Sequence, residues 1–210
     1  MGIKGDQHVF IAGQTGSGKT YLSKMYLAGN EKPVFVLDAK GTFNWEQVPK
    51  KQQVMITHLT QLPDAARNFK YVIYRPSADE LEEEYYDEFY NFCYSLKNCT
   101  VYTDEIMQIC PNPFKMPQGL KSILTRGREL NVNSWNATQR PANIPVLVYS
   151  ECTHWFIFTL RSPSDRKKLI DLSSFDEFDT IMPQYMFQYF DGLNNPIQAT
   201  LTKDGRVKLG

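Results

Sequence analysis

Cysteine is scarce in this sequence: four in 210 residues, Cys93, Cys99, Cys110 and Cys152, with no C-x-x-C pair among them. That spacing offers neither a disulfide framework nor a zinc site, and reduced, buried thiols are the expectation. Net charge is also lacking, since 23 Lys and Arg balance 23 Asp and Glu. A neutral chain is not one that coats nucleic acid through bulk attraction. No apolar run approaches the roughly 20 residues that a membrane-spanning helix needs, and the N-terminus lacks a charged-then-apolar signal segment. These absences lead us to expect an intracellular, soluble protein. There is no internal repeat and no low-complexity linker, so a single domain is expected over 1–210. The sequons Asn98-Cys99-Thr100 and Asn136-Ala137-Thr138 fall beside or within expected core strands, which argues against their use as glycosylation sites.

The charge that is present is segregated. Residues 79–88, DELEEEYYDE, hold seven of the 23 acids and no base, which leaves 16 acids against 23 bases elsewhere. The acidic run reads as a solvated helix surface, and the remainder has room for a basic face. Along the chain, β-rich apolar runs alternate with helical segments: Val9 to Ala12, Val34 to Leu37, Tyr71 to Tyr74, Thr100 to Thr103, Asn133 to Thr138 and Trp155 to Leu160. This alternation predicts an α/β fold with a mostly parallel sheet and helices on both faces. Helices are predicted over Thr20 to Ala28, Glu80 to Leu96 and Gln118 to Glu129, the second burying Leu81, Tyr85, Phe89, Phe92 and Leu96. After about residue 180 the pattern changes. Tyr185 to Phe190, Ile197 to Thr202 and Val207 to Leu209, the last preceded by a Lys203-Asp204-Gly205-Arg206 turn, predict short antiparallel strands over 181–210 appended to a core of 1–180.

Directly after the first apolar run stands GQTGSGKT: Gly13, Gln14, Thr15, Gly16, Ser17, Gly18, Lys19 and Thr20. Glycines let the backbone wrap closely around a phosphate with its N–H groups pointing inward. Lys19 can reach the β- and γ-phosphates, the Thr20 hydroxyl can bind Mg2+, and the helix that begins here adds its positive end. These eight residues are assigned to the nucleotide. The strand Thr100 to Thr103 ends in Asp104-Glu105, a pair that can serve the metal and the attacking water. Asp104 is assigned with Thr20 to Mg2+, and Glu105 to polarising the water.

Downstream, Ala137-Thr138-Gln139 ends another strand at the same sheet edge, where the Gln139 amide could sense the γ-phosphate or orient the water. Arg126 and Arg128 flank Gly127 near the expected end of a helix. Guanidinium groups so placed can cross a subunit boundary and stabilise charge in a neighbour's transition state.

Together GQTGSGKT, Leu37-Asp38-Ala39-Lys40-Gly41, Asp104-Glu105, Gly127-Arg128 and Ala137-Thr138-Gln139-Arg140-Pro141 resemble the FtsK/HerA superfamily of DNA-translocating ATPases. The short length is most similar to the genome-packaging ATPases of membrane-containing icosahedral viruses and related phages. The resemblance spans about Val9 to Leu160. It implies a RecA-like core, ATP and Mg2+ as cofactors, and a homo-oligomeric ring around double-stranded DNA gripped without regard to sequence. It also implies Arg128, with Arg126 as its rival, as a finger acting in trans. A capsid vertex or viral membrane protein is the further partner implied, with the host cytoplasm or a virion vertex as the location. The chain departs from relatives that carry an N-terminal barrel or a DNA-reading winged helix, so chromosome segregation is not expected.

Lys115 and Lys121, flanking Met116-Pro117-Gln118-Gly119, are the candidate DNA contacts, with Arg166-Lys167-Lys168 as the alternative. A motor that packages DNA into a preformed capsid is the leading expectation. A nucleotide-switched virion assembly protein that recruits partners without moving DNA is its rival. A small-molecule kinase lacks support, because neither an acceptor site nor a lid-like arginine cluster is evident.

Overall fold

Val9-Phe10-Ile11-Ala12 is apolar at every position because the strand it forms, β1 (Val9–Ala12), is buried on both faces. Phe10 and Ala12 enter one core cluster while Val9 and Ile11 enter another on the opposite face, the two-residue alternation of a strand. The computed structural model describes residues 3–202 and 206–209. After β1 come α1 (Lys19–Ala28), β2 (Val34–Leu37), β3 (Gln53–Ile56), α2 (Leu62–Asn68), β4 (Tyr71–Tyr74) and α3 (Glu83–Leu96). The middle of the chain forms β5 (Thr100–Thr103), α4 (Ile106–Ile109), α5 (Gln118–Arg126), β6 (Asn133–Thr138), α6 (Leu147–Ser150), β7 (His154–Phe158) and α7 (Pro163–Ser173). Three strands close it: β8 (Met186–Phe190), β9 (Ile197–Leu201) and β10 (Val207–Leu209).

The ten strands among the described residues form one sheet in the order β10-β9-β8-β7-β1-β6-β5-β2-β4-β3. From β7 to β3 every pairing is parallel, and β8, β9 and β10 continue antiparallel from the β7 side. The expected α/β sheet is therefore present, and the carboxy-terminal strands extend it directly. The expected Lys203-Asp204-Gly205 turn lies outside the described residues.

Helices cover the two faces unequally. Residues from α2 through α7 pack on the face that bears Phe10, Phe35, Val72 and Val101. On the other face α1 is the only one of these helices, through Leu22 and Leu27, and the β2–β4 half lies under the irregular segment that carries Phe43, Trp45 and Val48. Trp45 fixes that segment by donating its indole N–H to Lys24 O of α1, at 3.2 Å.

Strand β3 and helices α2 and α7 go beyond the sequence expectation. The β3 sequence Gln53-Val54-Met55-Ile56 is short, and only Ile56 is fully buried, so its apolar signal is weak. Helix α3 keeps Phe89 buried and Tyr85 and Phe92 packed against the core as expected, but its buried stripe is shifted to take in Tyr86, Tyr90 and Cys93. Tyr86, Phe89, Tyr90 and Cys93 are buried, whereas Leu81 and Leu96 are 47% and 43% exposed. The cause is contact with α5: Gly119 sits so close to α3 that a Cβ there would meet Asn91 N at 2.7 Å, and Asp87 accepts the Gly119 N–H at 2.6 Å. Glu80 also leaves the expected solvated acidic surface. Buried at 5% exposure, it accepts the Tyr74 hydroxyl at 2.7 Å and the Leu59 N–H at 2.8 Å. The four cysteines are buried and unpaired.

Candidate active site

In a parallel sheet all strands end on one edge, so whatever follows them converges there. The loop Gly13 to Gly18 leaves β1 on that edge and is tied to its neighbours. Gly13 N–H donates to Thr138 O at the end of β6, at 3.1 Å, and Gln14 N–H to Thr159 O after β7, at 3.0 Å. Gly18 stands at φ 117, where a side chain would be strained, immediately before α1 begins at Lys19. The loop holds two buried polar atoms without hydrogen-bond partners, Gln14 Oε1 and Ser17 Oγ. Buried polar groups are ordinarily paired, and of the two only the Ser17 hydroxyl has a proton to donate to an anion.

Lys19 is 7% exposed, and its ammonium folds back to donate to Gly13 O at 2.7 Å and Gln14 O at 3.1 Å. Burial lowers its pKa to about 8, against the opposing pull of the Glu105 and Asp104 carboxylates. Lys40 adds to the lowering. It stands on a turn after β2 that the buried Asp38 organises, accepting from Thr42 N–H, Phe43 N–H and Arg75 Nε. The sequence motif around Lys40 assigns it no role of its own. Its place beside the loop follows from β2 pairing with β5.

Asp104 and Glu105 make different contacts. Asp104 Oδ1 accepts the Thr20 hydroxyl at 2.9 Å and the Tyr102 hydroxyl at 2.6 Å. Burial, with Asp104 adding to it, pushes the Tyr102 phenol well above its ordinary pKa, so it remains a donor. No three His, Cys, Asp or Glu side chains gather as a metal cage among the described residues. The donor set of Thr20 hydroxyl and one carboxylate fits Mg2+, which keeps several waters and takes phosphate oxygens as ligands. When bound, such an ion supplies charge neutralisation at the phosphates.

Glu105 is half-buried, and its Oε1 accepts the Gln139 backbone N–H at 3.3 Å. The Gln139 side-chain oxygen accepts the Thr15 hydroxyl at 2.8 Å, leaving the amide NH2 free to meet an oxyanion. The loop, the Thr20–Asp104 pair, Glu105 and Gln139 are thus brought together on one edge.

Arg126 and Arg128 are not there. They precede β6, so they lie at the opposite edge from the loop that its far end supports. Arg128 lies in a short 3-10 turn, Gly127–Leu130, beyond the end of α5 at Arg126, and not on a continuous helix to Glu129 as expected. It donates to Thr153 Oγ1 at 2.8 Å and Glu151 O at 3.2 Å, just before β7. Burial and, after it, the Arg128 charge lower the pKa of His8, just before β1, to about 4, a second sign of that location. Arg126 donates to Ser122 Oγ and stands over the Tyr94 ring. Neither arginine serves its own chain's site.

Of the DNA candidates, Lys115 is ion-paired with Glu83 at the start of α3, and Lys121 is exposed on α5. Arg166 is committed to Asp179 and to the carbonyls of Leu160 and Arg161.

No protein-family model matches the chain, and no curated protein matches it. Solved structures do match. The genome packaging NTPase B204 from Sulfolobus turreted icosahedral virus 2, in complex with AMPPCP, is 17% identical with a TM-score of 0.71, over 99% of this chain and 98% of that one. B204, the DNA-packaging ATPase from Sulfolobus turreted icosahedral virus, is 18% identical with a TM-score of 0.70, over 97% and 96%. VirB4 of Thermoanaerobacter pseudethanolicus is 10% identical with a TM-score of 0.58, over 89% and 87%. The chain therefore has the P-loop ATPase fold of these viral packaging NTPases, and the likeness that its motifs carry extends in fold to nearly its whole length.

Proposed function

We propose that this protein is an ATP-hydrolysing motor that moves double-stranded DNA into a preformed viral capsid as a homo-oligomeric ring. The observation that carries the hydrolysis is the joining of three sequence-distant segments at one edge: Thr20 with Asp104, and Glu105 with Gln139, which in turn meets Thr15. Likeness in fold to structures described as genome-packaging NTPases supports the choice of DNA as the load. A ring would dock at a capsid vertex or a viral membrane protein, in the host cytoplasm or on the virion.

In this reading the loop N–H groups and Lys19 hold the phosphates, the Lys19 ammonium exchanging Gly13 O and Gln14 O for phosphate oxygens. Thr20 and Asp104 hold Mg2+. Glu105, fixed through the Gln139 N–H, draws a proton from the water aligned with the γ-phosphate, and the Gln139 amide steadies that water or an equatorial oxygen.

Lys19 gives this a pH signature. Its pKa is about 8 with the site as described, and an adjacent triphosphate favours the charged form. At pH 6 the lysine is protonated before and after binding. Above pH 8 it must take up a proton to meet the phosphates, so ATP affinity should fall as pH rises through 8 to 10. Calorimetry in buffers of different ionisation enthalpy should read proton uptake near zero at pH 6 and rising towards one above pH 8. Uptake that stays flat would take the charge change away from Lys19.

DNA is tested by ATPase rate with and without duplex DNA, alongside particle size by light scattering. Rate stimulation by DNA of unrelated sequences, in a particle several times the chain mass, is expected. Hydrolysis indifferent to DNA would favour the nucleotide-switched assembly protein. If Lys115 and Lys121 face the DNA, replacing both with Ala should leave basal hydrolysis intact and reduce the log–log salt slope of DNA binding by about 1 to 2. An unchanged slope would move the contact to Lys167 and Lys168.

A further inference from the structure

The stretch between α7 and β8 is pinned against the phosphate-binding loop. Met182 exchanges hydrogen bonds with Thr159, its N–H donating to Thr159 Oγ1 at 2.8 Å and its carbonyl accepting that hydroxyl at 2.7 Å. Gln184 Nε2 donates to Gly16 O at 2.8 Å, and Tyr185 N–H donates to Ser17 O at 3.2 Å. From the other side, Leu201 N–H of β9 donates to Tyr185 O at 2.8 Å. Tyr185 is thus gripped by the loop and by the carboxy-terminal strands, at φ 66, a backbone state that tyrosine rarely adopts.

That grip positions an aromatic ring for something other than the core. Tyr185 is 43% exposed. A Cβ on Gly18 would come within 3.1 Å of Tyr185 Cδ1, so the edge of the ring lies over the start of α1. With Gly16, Gly18, Lys19, Thr20 and Tyr21 it lines an open cavity of about 250 Å3. This cavity is bordered both by residues of the phosphate loop and by the aromatic side chain of Tyr185. A nucleotide has two matching parts, an anionic chain and a flat base.

We propose that Tyr185 is the base-binding residue of this site, its ring stacking on the purine of the bound nucleoside triphosphate. The proposal rests on the reading of the loop as a triphosphate site. It gives two of the carboxy-terminal strands a task, because β8 follows directly from the tyrosine and β9 holds it through Leu201 N–H. Stacking accepts any purine, since every base has a π-face, so Tyr185 supplies affinity and leaves the choice between adenine and guanine to other groups.

The test compares MgATP with magnesium tripolyphosphate, which has the phosphates and no base, by calorimetry on the full chain. Tyr185→Ala should weaken ATP about 5- to 100-fold, as loss of a stacking partner does, and should leave tripolyphosphate unchanged. Tyr185→Phe should retain both. Tyr185→Leu keeps bulk over Gly18 without a π-face and gives the same comparison should the alanine variant fail to fold. Unchanged ATP affinity in the alanine or leucine variant would overturn the proposal. So would equal weakening of both ligands, which would make Tyr185 a support for the loop. Wild-type protein that binds neither ligand would instead overturn the phosphate site itself, a result that no Tyr185 variant can mimic.

Discussion

Glu105→Gln should bind MgATP as tightly as the unaltered protein and release phosphate about 10² to 10⁴ times more slowly, the range that a positioned general base contributes. Glutamine preserves the length of the side chain and an oxygen to accept the Gln139 N–H, the contact that places Glu105 at 3.3 Å from the strand end of β6. It cannot take a proton from water. Loss should therefore appear in kcat with little change in KM. Lys19→Ala is the contrast, because it removes a ligand of the phosphates and weakens the bound state itself. Phosphate release near the wild-type rate in the Glu105 variant would remove that carboxylate from the chemistry.

Mixing two inactive variants should restore activity, and this is the second large effect expected. Arg128 is at the sheet edge opposite its own phosphate loop, held by Thr153 and Glu151, so it cannot assist its own nucleotide. In a ring the same edge could face the next subunit's site, where an arginine supplied in trans accelerates phosphoryl transfer by about 10³ to 10⁵. Arg128→Ala alone should be nearly inactive while still binding ATP. Lys19→Ala alone should be inactive for lack of phosphate binding. Combined, Arg128→Ala subunits have intact loops and Lys19→Ala neighbours have intact Arg128, so turnover should reappear. Specific activity of the unaltered protein should also climb with concentration as rings form. Flat specific activity from dilute monomer upwards, with no complementation, would assign Arg128 to the hydrogen bonds it makes at Thr153 and Glu151 and leave Arg126 to the same test.

The sequence by itself determined the elements that carry their own local pattern. The apolar runs of β1, β2 and β4 are buried on both faces, so every residue announces the strand. The phosphate loop and the Asp104-Glu105 strand end were legible because their chemistry needs fixed residue types at fixed spacing. Placement of Arg128 was partly legible too. It precedes β6 while Gln139 follows it, and in a parallel sheet the two ends of a strand lie on opposite edges. Strand β3 and the shift of the α3 buried stripe were not legible, because an edge strand is only half-buried and a helix's buried face is set by what packs on it, here α5 through Gly119. Tyr185 depended most on tertiary structure. It meets Ser17 across 168 residues of sequence, and only the antiparallel return of β8 and β9 beside β7 brings the two together. Local pattern fixes which residues form strands and loops. Long-range strand pairing decides which of those loops share an edge.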